Sequence, residues 1–416
     1  MILAIVLVAL AIPIATGAFS AGGPEDQGKD EAAVSSAAGG DSDQGAQPNV
    51  QSEPVTINLM MVGDILQHTR VYQSGLQADG SYNFDHVYAH MASAMEGQDI
   101  KVLNQETPLG GASLGYSGYP AFNGPQEMGD AEVKAGFNVV LKATNHAMDR
   151  GYDGIHNEQE YWKAKHPDIA VLGEIDPLSD NPGSLDDVYI YEKDGFKVAL
   201  LNYTYGLNGF ADPKGAVAQL DEDRIKRNVQ SARDQGADIV VAFPHWGIEY
   251  QTTASDDQRK WAEVFRKAGV DVIIGGHPHI LEPVEVLSGD DGHQTLCYWS
   301  VGNFICTQSD DSMIGGMAKV QLRKESDGTA HVVSYSLDPL VINKGAGRNM
   351  TTYLASDWTS QMATSSAVPT LTPAHVDSFC SRVLGSGYDS STHQLKGTMD
   401  GAGQDDGGDE ALPDAA

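Results

Sequence analysis

His277 and His279 stand two positions apart, directly after an apolar run, Val272-Ile273-Ile274, and the pair Gly275-Gly276. Neutral imidazole is the commonest protein ligand for transition metals, so an H-x-H just past a strand is a chelating arrangement. The glycines would let the backbone turn sharply and approach an ion closely. In isolation the pair fits a surface loop equally well. Other apolar runs, however, end in the same chemistry. Gly63-Asp64 follows residues 57–62, with His68 shortly after. Asn104-Gln105-Glu106 follows 101–103, Thr144-Asn145-His146 follows 138–141, and Pro244-His245 follows 238–243. The run 198–201 leads only into Asn202-Tyr203-Thr204, which offers no evident ligand.

Short apolar runs of this length predict strands buried on both faces. In α/β sheets, ligands gather at the carboxyl ends of the strands. One sheet edge is therefore expected to collect Asp64, Glu106, Asn145, His146, His245, His277 and His279. Carboxylate, amide and imidazole together suit manganese, iron or zinc. The set is large enough for two divalent ions bridged by a carboxylate. Such a pair clamps the attacking and leaving oxygens in hydrolysis and lowers the pKa of a bound water. Trp246, Glu249 and Tyr250 read either as site wall or as ordinary loop packing. Asn104, Asp149 and Asn303 read as groups that orient ligands, although Asp149 would equally cap the following helix.

The elements that must position these residues follow from periodicity. Helical spacing is present at 84–96, 151–165, 221–235 and 256–268. In the last, Trp261, Val264 and Phe265 share one face with lysine and arginine opposite, the pattern of a core-facing helix. Strand alternating with helix predicts a layered α/β domain. Runs at 295–301, 318–322 and 332–337 predict hairpin strands that finish or extend a sheet. Beyond 345 the pattern fades. One short helix fits within 356–384, and 401–416 is an acidic, glycine-rich tail.

Composition bounds the class. With 416 residues, 41% hydrophobic and 20% charged, the chain is globular with ample core. A formal net charge of -31 disfavours nucleic acid and anionic polymers as passive electrostatic partners. The three cysteines make no disulfide framework and no metal-ligand spacing. Cys297 and Cys306 flank a predicted turn, open either to pairing or to two buried thiols. Residues 1–19 are almost wholly apolar, long enough to span a bilayer or to form the core of a secretory signal. The expected organisation is a signal peptide or membrane anchor at 1–20 and a flexible linker at 21–54. A metal-binding domain follows at 55–345, then a poorly ordered extension with its acidic tail at 346–416. That order predicts an extracytoplasmic protein, either anchored or secreted.

Several segments then carry a resemblance: GDILQHTR (63–70), NQETPLGG (104–111), ATNHAMDRGYDG (143–154), FPHWGIEY (243–250), GGHPHILEPVE (275–285) and YWSVGNF (298–304). Together they resemble the CapA family of capsule-synthesis, poly-γ-glutamate biosynthesis proteins, which have a calcineurin-like metallophosphoesterase fold. The resemblance implies a four-layer α/β/β/α sandwich and an extracytoplasmic, membrane-tethered domain. It also implies roles. Asp64 and His279 would serve one metal, Glu106 would bridge, and Asn145, His245 and His277 would serve the second. His146 would donate a proton or steady the phosphoryl group. Two positions depart from the general phosphoesterase pattern. Leu66 stands where a D-x-H opening has its histidine, leaving His68 as the substitute candidate, and Glu106 replaces a bridging aspartate. The resemblance implies work on an anionic surface polymer, or with its synthase subunits. An exported phosphoesterase without a capsule link, and a metal-binding scaffold without turnover, remain the competing functions.

Overall fold

A computed structural model describes residues 53–399, apart from 309 and 346–349. The expected signal or anchor, nearly all of the linker and the acidic tail lie outside those residues. The first half of the fold alternates strand and helix: β1 (Val55–Ile65), α1 (Thr69–Ser74), β2 (Ile100–Asn104), α2 (Glu127–Ala135), β3 (Val139–Leu141), α3 (Gly151–Lys165) and β4 (Ala170–Leu172). The middle runs β5 (Tyr189–Lys193), β6 (Phe196–Thr204), α4 (Glu222–Asp234), β7 (Ile239–His245), α5 (Asp256–Ala268), β8 (Val272–Ile274), β9 (Val284–Ser288) and β10 (Gln294–Tyr298). The chain closes with β11 (Asn303–Ile305), β12 (Ile314–Lys324), β13 (Ala330–Lys344), β14 (Met350–Leu354), α6 (Ser360–Ser365), α7 (Pro373–Leu384), β15 (Tyr388–Asp389) and β16 (Gln394–Thr398).

Among the described residues these strands form two sheets. One is ordered β15-β16-β13-β12-β1-β2-β3-β4, with β11 on β1 and β14 on β13; the other is β5-β6-β7-β8-β10-β9. β1 through β4 are mutually parallel, as are β6, β7, β8 and β10. Alternation along each strand explains the layering, because successive side chains point to opposite faces. Phe196, Val198 and Leu200 of β6 join the core shared with the first sheet. Ala199, Leu201 and Tyr203 join a second core with Ile225 and Val229 of α4 and Phe265 of α5. Met128 of α2 and Trp162 of α3 are buried in the same cluster as the first sheet. The fold is thus the α/β/β/α sandwich, and the ligand-bearing strand ends come from the edges of two sheets rather than one.

Local chemistry sets the helix boundaries. Ser255 and Gln258 make a reciprocal capping box at the start of α5, and Gly269 ends it in the left-handed region. Thr372 caps α7, with Pro373 in the first helical position. The expected helix at 84–96 is instead a 3-10 turn, Asp85–Tyr88, followed by further turns. Its apolar spacing is met all the same, since Phe84, Val87, Met91 and Met95 are all buried. That periodicity reported burial, while no side chain caps a helical start there.

The expectation of a poorly ordered region from 346 is corrected over 350–399. There β14 and β16 pair with β13, and Trp358, Leu371, Phe379 and Leu395 are buried in the main core. All three cysteines are free thiols and buried, so Cys297 and Cys306 do not pair. Among the described residues, no helix is long and apolar enough to cross a membrane.

Candidate metal centre

Five strand ends converge. β1 delivers Asp64, β2 leads to Glu106, β3 to Asn145 and His146, β7 ends on His245, and β8 leads to His277 and His279. The H-x-H loop is fastened to the end of β7: Trp246 N donates to Gly276 O at 3.0 Å, and Gly276 N donates to Pro244 O at 3.0 Å. Gly276 is required for space. A Cβ there would stand 2.8 Å from Asp64 Oδ1. The left-handed backbone falls instead on the histidines, with φ of 96° at His277 and 58° at His279. That conformation is uncommon for non-glycine residues and marks a constrained loop.

Ligand-type atoms gather in overlapping groups. Asp64, Glu106 and His279 form one, and Glu106, His245 and His277 a second, each with its atoms within 4.8 Å of one another. Glu106 belongs to both. Its Oε1 lies 3.7 Å from His245 Nε2 and 3.7 Å from His279 Nε2. Asn145 Oδ1 lies 2.9 Å from His245 Nε2, on the side of the second group. A third group joins the exposed Glu249 to His277 and His279, giving a ligand-type position to a residue that the sequence marked only as site wall or loop packing.

Neighbouring groups orient these atoms. Asn104 Nδ2 donates to Asp64 Oδ1 at 2.6 Å and lies 3.1 Å from His245 Nδ1, which turns His245 Nε2 toward Glu106. Asn303 Oδ1 is 3.0 Å from His279 Nδ1. Asp64 Oδ2 accepts the His277 backbone N–H at 3.1 Å. His146 Nδ1 pairs with Asp149 Oδ2 at 2.7 Å, leaving Nε2 toward Glu106 at 3.9 Å. Asp149 also accepts from Phe122 N at 2.7 Å, so it is an orienting group rather than a helix cap.

His68 sits differently. It precedes α1, its ring meets Phe122 edge-on at 5.3 Å, and its Nδ1 accepts from Thr307 N at 3.4 Å. It belongs to none of the three groups. Leu66 is core, with its N–H bonded to Ile305 O. Trp246 is not site wall: it is buried against Trp299 and donates to the Trp299 carbonyl at 3.0 Å. Tyr250 is wall, half exposed with its ring 6.2 Å from His279.

The donor set fits divalent ions. Both Glu106 carboxylate oxygens and His277 Nδ1 are buried with no hydrogen-bond partner, which is costly unless something else satisfies them. Burial holds the His245 and His277 imidazoles well below their ordinary range, in the neutral form that ligates. Burial also drives the Glu106 carboxyl well above its usual range. Burial lowers His279, yet the Glu106 and Asp64 carboxylates beside it more than reverse that and hold it at about 9. A place that draws protons onto carboxyl and imidazole together is one where a bound cation takes the protons' role.

A second buried network lies behind the site. Lys142 Nζ, fully buried, pairs with Glu158 Oε1 at 3.0 Å and donates to Gln105 O at 2.9 Å. The sequence pattern missed it, although a lysine directly after an apolar strand is the signal that points to it.

Residues 58–308 match the family described as bacterial capsule synthesis protein PGA_cap. The chain belongs to that family. Two of its curated relatives are named for the same process. The PGA biosynthesis protein CapA of Bacillus subtilis (strain 168) is 34% identical over 215 residues, covering 50% of this chain and 52% of the relative. The capsule biosynthesis protein CapA of Bacillus anthracis is 27% identical over 322 residues, covering 74% and 72%. The match thus spans about half the length of the Bacillus subtilis relative. Among solved structures, this family member is similar to an NAD nucleotidase of Haemophilus influenzae (14% identity, 70% of this chain and 53% of that one, TM-score 0.44). It is also similar to the calcineurin-like phosphoesterase YfkN of Bacillus subtilis (14%, 68% and 91%, TM-score 0.38).

Proposed function

We propose that the chain acts in the synthesis, transport or anchoring of an anionic bacterial surface polymer of the poly-γ-glutamate kind, through a hydrolase-type centre that binds two divalent ions. The observation that carries this reading is Glu106, buried, with neither carboxylate oxygen partnered, and shared by the Asp64–His279 and His245–His277 groups. Asp64 and His279 would hold one ion, Asn145, His245 and His277 the other, and Glu106 both. Manganese, iron and zinc all suit such a mixed set. When bound, the ions supply Lewis acidity toward a phosphoester, acyl-phosphate or amide bond.

The chain's own groups supply the rest. Asp149 fixes the His146 ring so that Nε2 faces the centre, the place from which a proton reaches a leaving oxygen or nitrogen. Asn104 keeps Asp64 and His245 in register. A chain of net charge -31 repels a polyanion, so the ion site is the natural point of contact. The polymer or its synthase subunits are the proposed partners, with the membrane reached through the N-terminal apolar segment. The proposed location is outside the cytoplasm.

Metal content, together with a hydrolysis panel of phosphomonoester, phosphodiester and polyglutamate, tests the reading. Wild type should carry stoichiometric metal, His245→Ala and His277→Ala should lose it, and His146→Ala should keep it while losing turnover. Wild type with no stoichiometric metal sinks the metal-centre reading. Metal with no turnover on any substrate leaves a binding scaffold.

A further inference from the structure

The run that becomes β6 leads only into residues without evident ligands, yet the loop leaving it enters the centre. Tyr205 is the first residue beyond β6, and its N–H is bonded to the His245 carbonyl at 2.9 Å. Its backbone is therefore fixed to the strand end that carries a ligand. Its ring packs on His277, with centroids 4.6 Å apart, while the residue as a whole is 43% exposed, so it stands between a candidate ligand and solvent. In the same loop, Asn208 takes the left-handed conformation with φ of 50°. Its Oδ1 accepts from Asn145 Nδ2 at 3.3 Å, keeping Asn145 Oδ1 on the His245 side.

We propose that Tyr205 contacts substrate, its hydroxyl donating to an anionic oxygen of the group held at the Asn145–His245–His277 side of the centre. The inference rests on the metal-centre reading. Its chemical basis is a shortage of neutral donors. Glu106, Asp64 and Glu249 place three carboxylates among the histidines of the centre. An incoming phosphoryl or carboxylate oxygen then needs donors that carry no negative charge. A phenol, protonated at neutral pH, is one, and His146 is another. The site thereby selects groups with an oxygen beyond those engaged by the ions, as a phosphoryl group has.

Tyr205→Phe tests this, because it keeps the ring against His277 and removes only the hydroxyl. Inorganic phosphate is titrated calorimetrically into manganese-loaded full-length protein, and metal content is measured in parallel. The expected result is unchanged manganese stoichiometry with phosphate binding weakened roughly tenfold, the scale of one hydrogen bond to a charged oxygen. Where a hydrolysable substrate is found, the same variant lowers kcat/KM by a comparable factor. Wild-type phosphate affinity in Tyr205→Phe overturns the proposal, as does metal-loaded wild type that binds no phosphate. Failure of wild type to load metal at all overturns the underlying centre instead, and the metal measurement tells the two apart.

Discussion

Glu106 concentrates the chemistry of the centre in one side chain, since its two oxygens are buried, unpartnered and common to both ligand groups. Replacing it by glutamine keeps the shape and removes the bridging charge. A ligand present at a hundred times its Kd stabilises the folded state by about 2.7 kcal/mol. Manganese added to the chelator-treated wild type should therefore raise its melting temperature, and Glu106→Gln should lose most of that gain; equal shifts would show that Glu106 bridges nothing. Much of this arrangement is legible in the sequence. A buried strand advertises itself by its apolar run, and the residue just past its end is placed at the sheet edge whatever its neighbours are. That rule located Asp64, Glu106, Asn145, His245, His277 and His279. It failed where proximity depends on side-chain reach. His68 lies near enough in sequence to Asp64, yet its ring turns to Phe122 and Thr307. Tyr205 was invisible because a tyrosine after a strand is ordinary, and only the fold sets it on His277.

The segments after β2 and β3 carry Glu106 and Asn145, and a single fully buried lysine ties them together. Lys142 leaves the end of β3 and bonds the Gln105 carbonyl next to Glu106 while pairing with Glu158, which itself accepts from Leu109 N at 3.1 Å. Removing one partner of a buried pair strands the other charge, at about 3–5 kcal/mol. Lys142→Met should lower stability by that amount in urea unfolding, and adding Glu158→Gln should recover most of it, since glutamine still accepts from Leu109. An additive double variant would mean that the pair is not coupled. The same cluster makes a pH prediction. Burial, opposed by Lys142 and reinforced by Glu158, raises the Glu132 carboxyl from 4.5 to about 8. A raised folded pKa gives stability that is complete below the unfolded value and lost as pH climbs through the folded one. Between pH 5 and 9 the wild-type unfolding midpoint should fall, and Glu132→Gln should flatten that fall; parallel curves would remove Glu132 from the account.

At the scale of the whole molecule, the sequence pattern located the five ligand-bearing strands and α3, α4 and α5, because each buries its apolar residues. It was weakest where a segment borrows its order from what already stands. β14 and β16 are short, β16 with Leu395 as its one large apolar residue, and both become strands by pairing with β13. Phe379 and Cys380 of α7, with Trp358 and Leu371 from the segments flanking α6, fill in beside them, all buried in the main core. Residues 350–399 therefore complete the domain, and the boundary drawn at 345 cuts through its core. Fully burying one such side chain contributes about 1.5–3 kcal/mol. Losing these four together with Leu395 removes an amount comparable to the whole stability of a typical domain, about 5–15 kcal/mol. A chain stopped at 345 should fail to give a cooperative melt and should expose β13 as an unpaired edge prone to aggregation. A chain stopped at 399 keeps every described element and should melt as the full-length protein does. Thermal unfolding and size-exclusion profiles of the two truncations decide the matter: a well-behaved, cooperatively melting 345 form would show that the segment is an appendage, and that the metal centre stands without it.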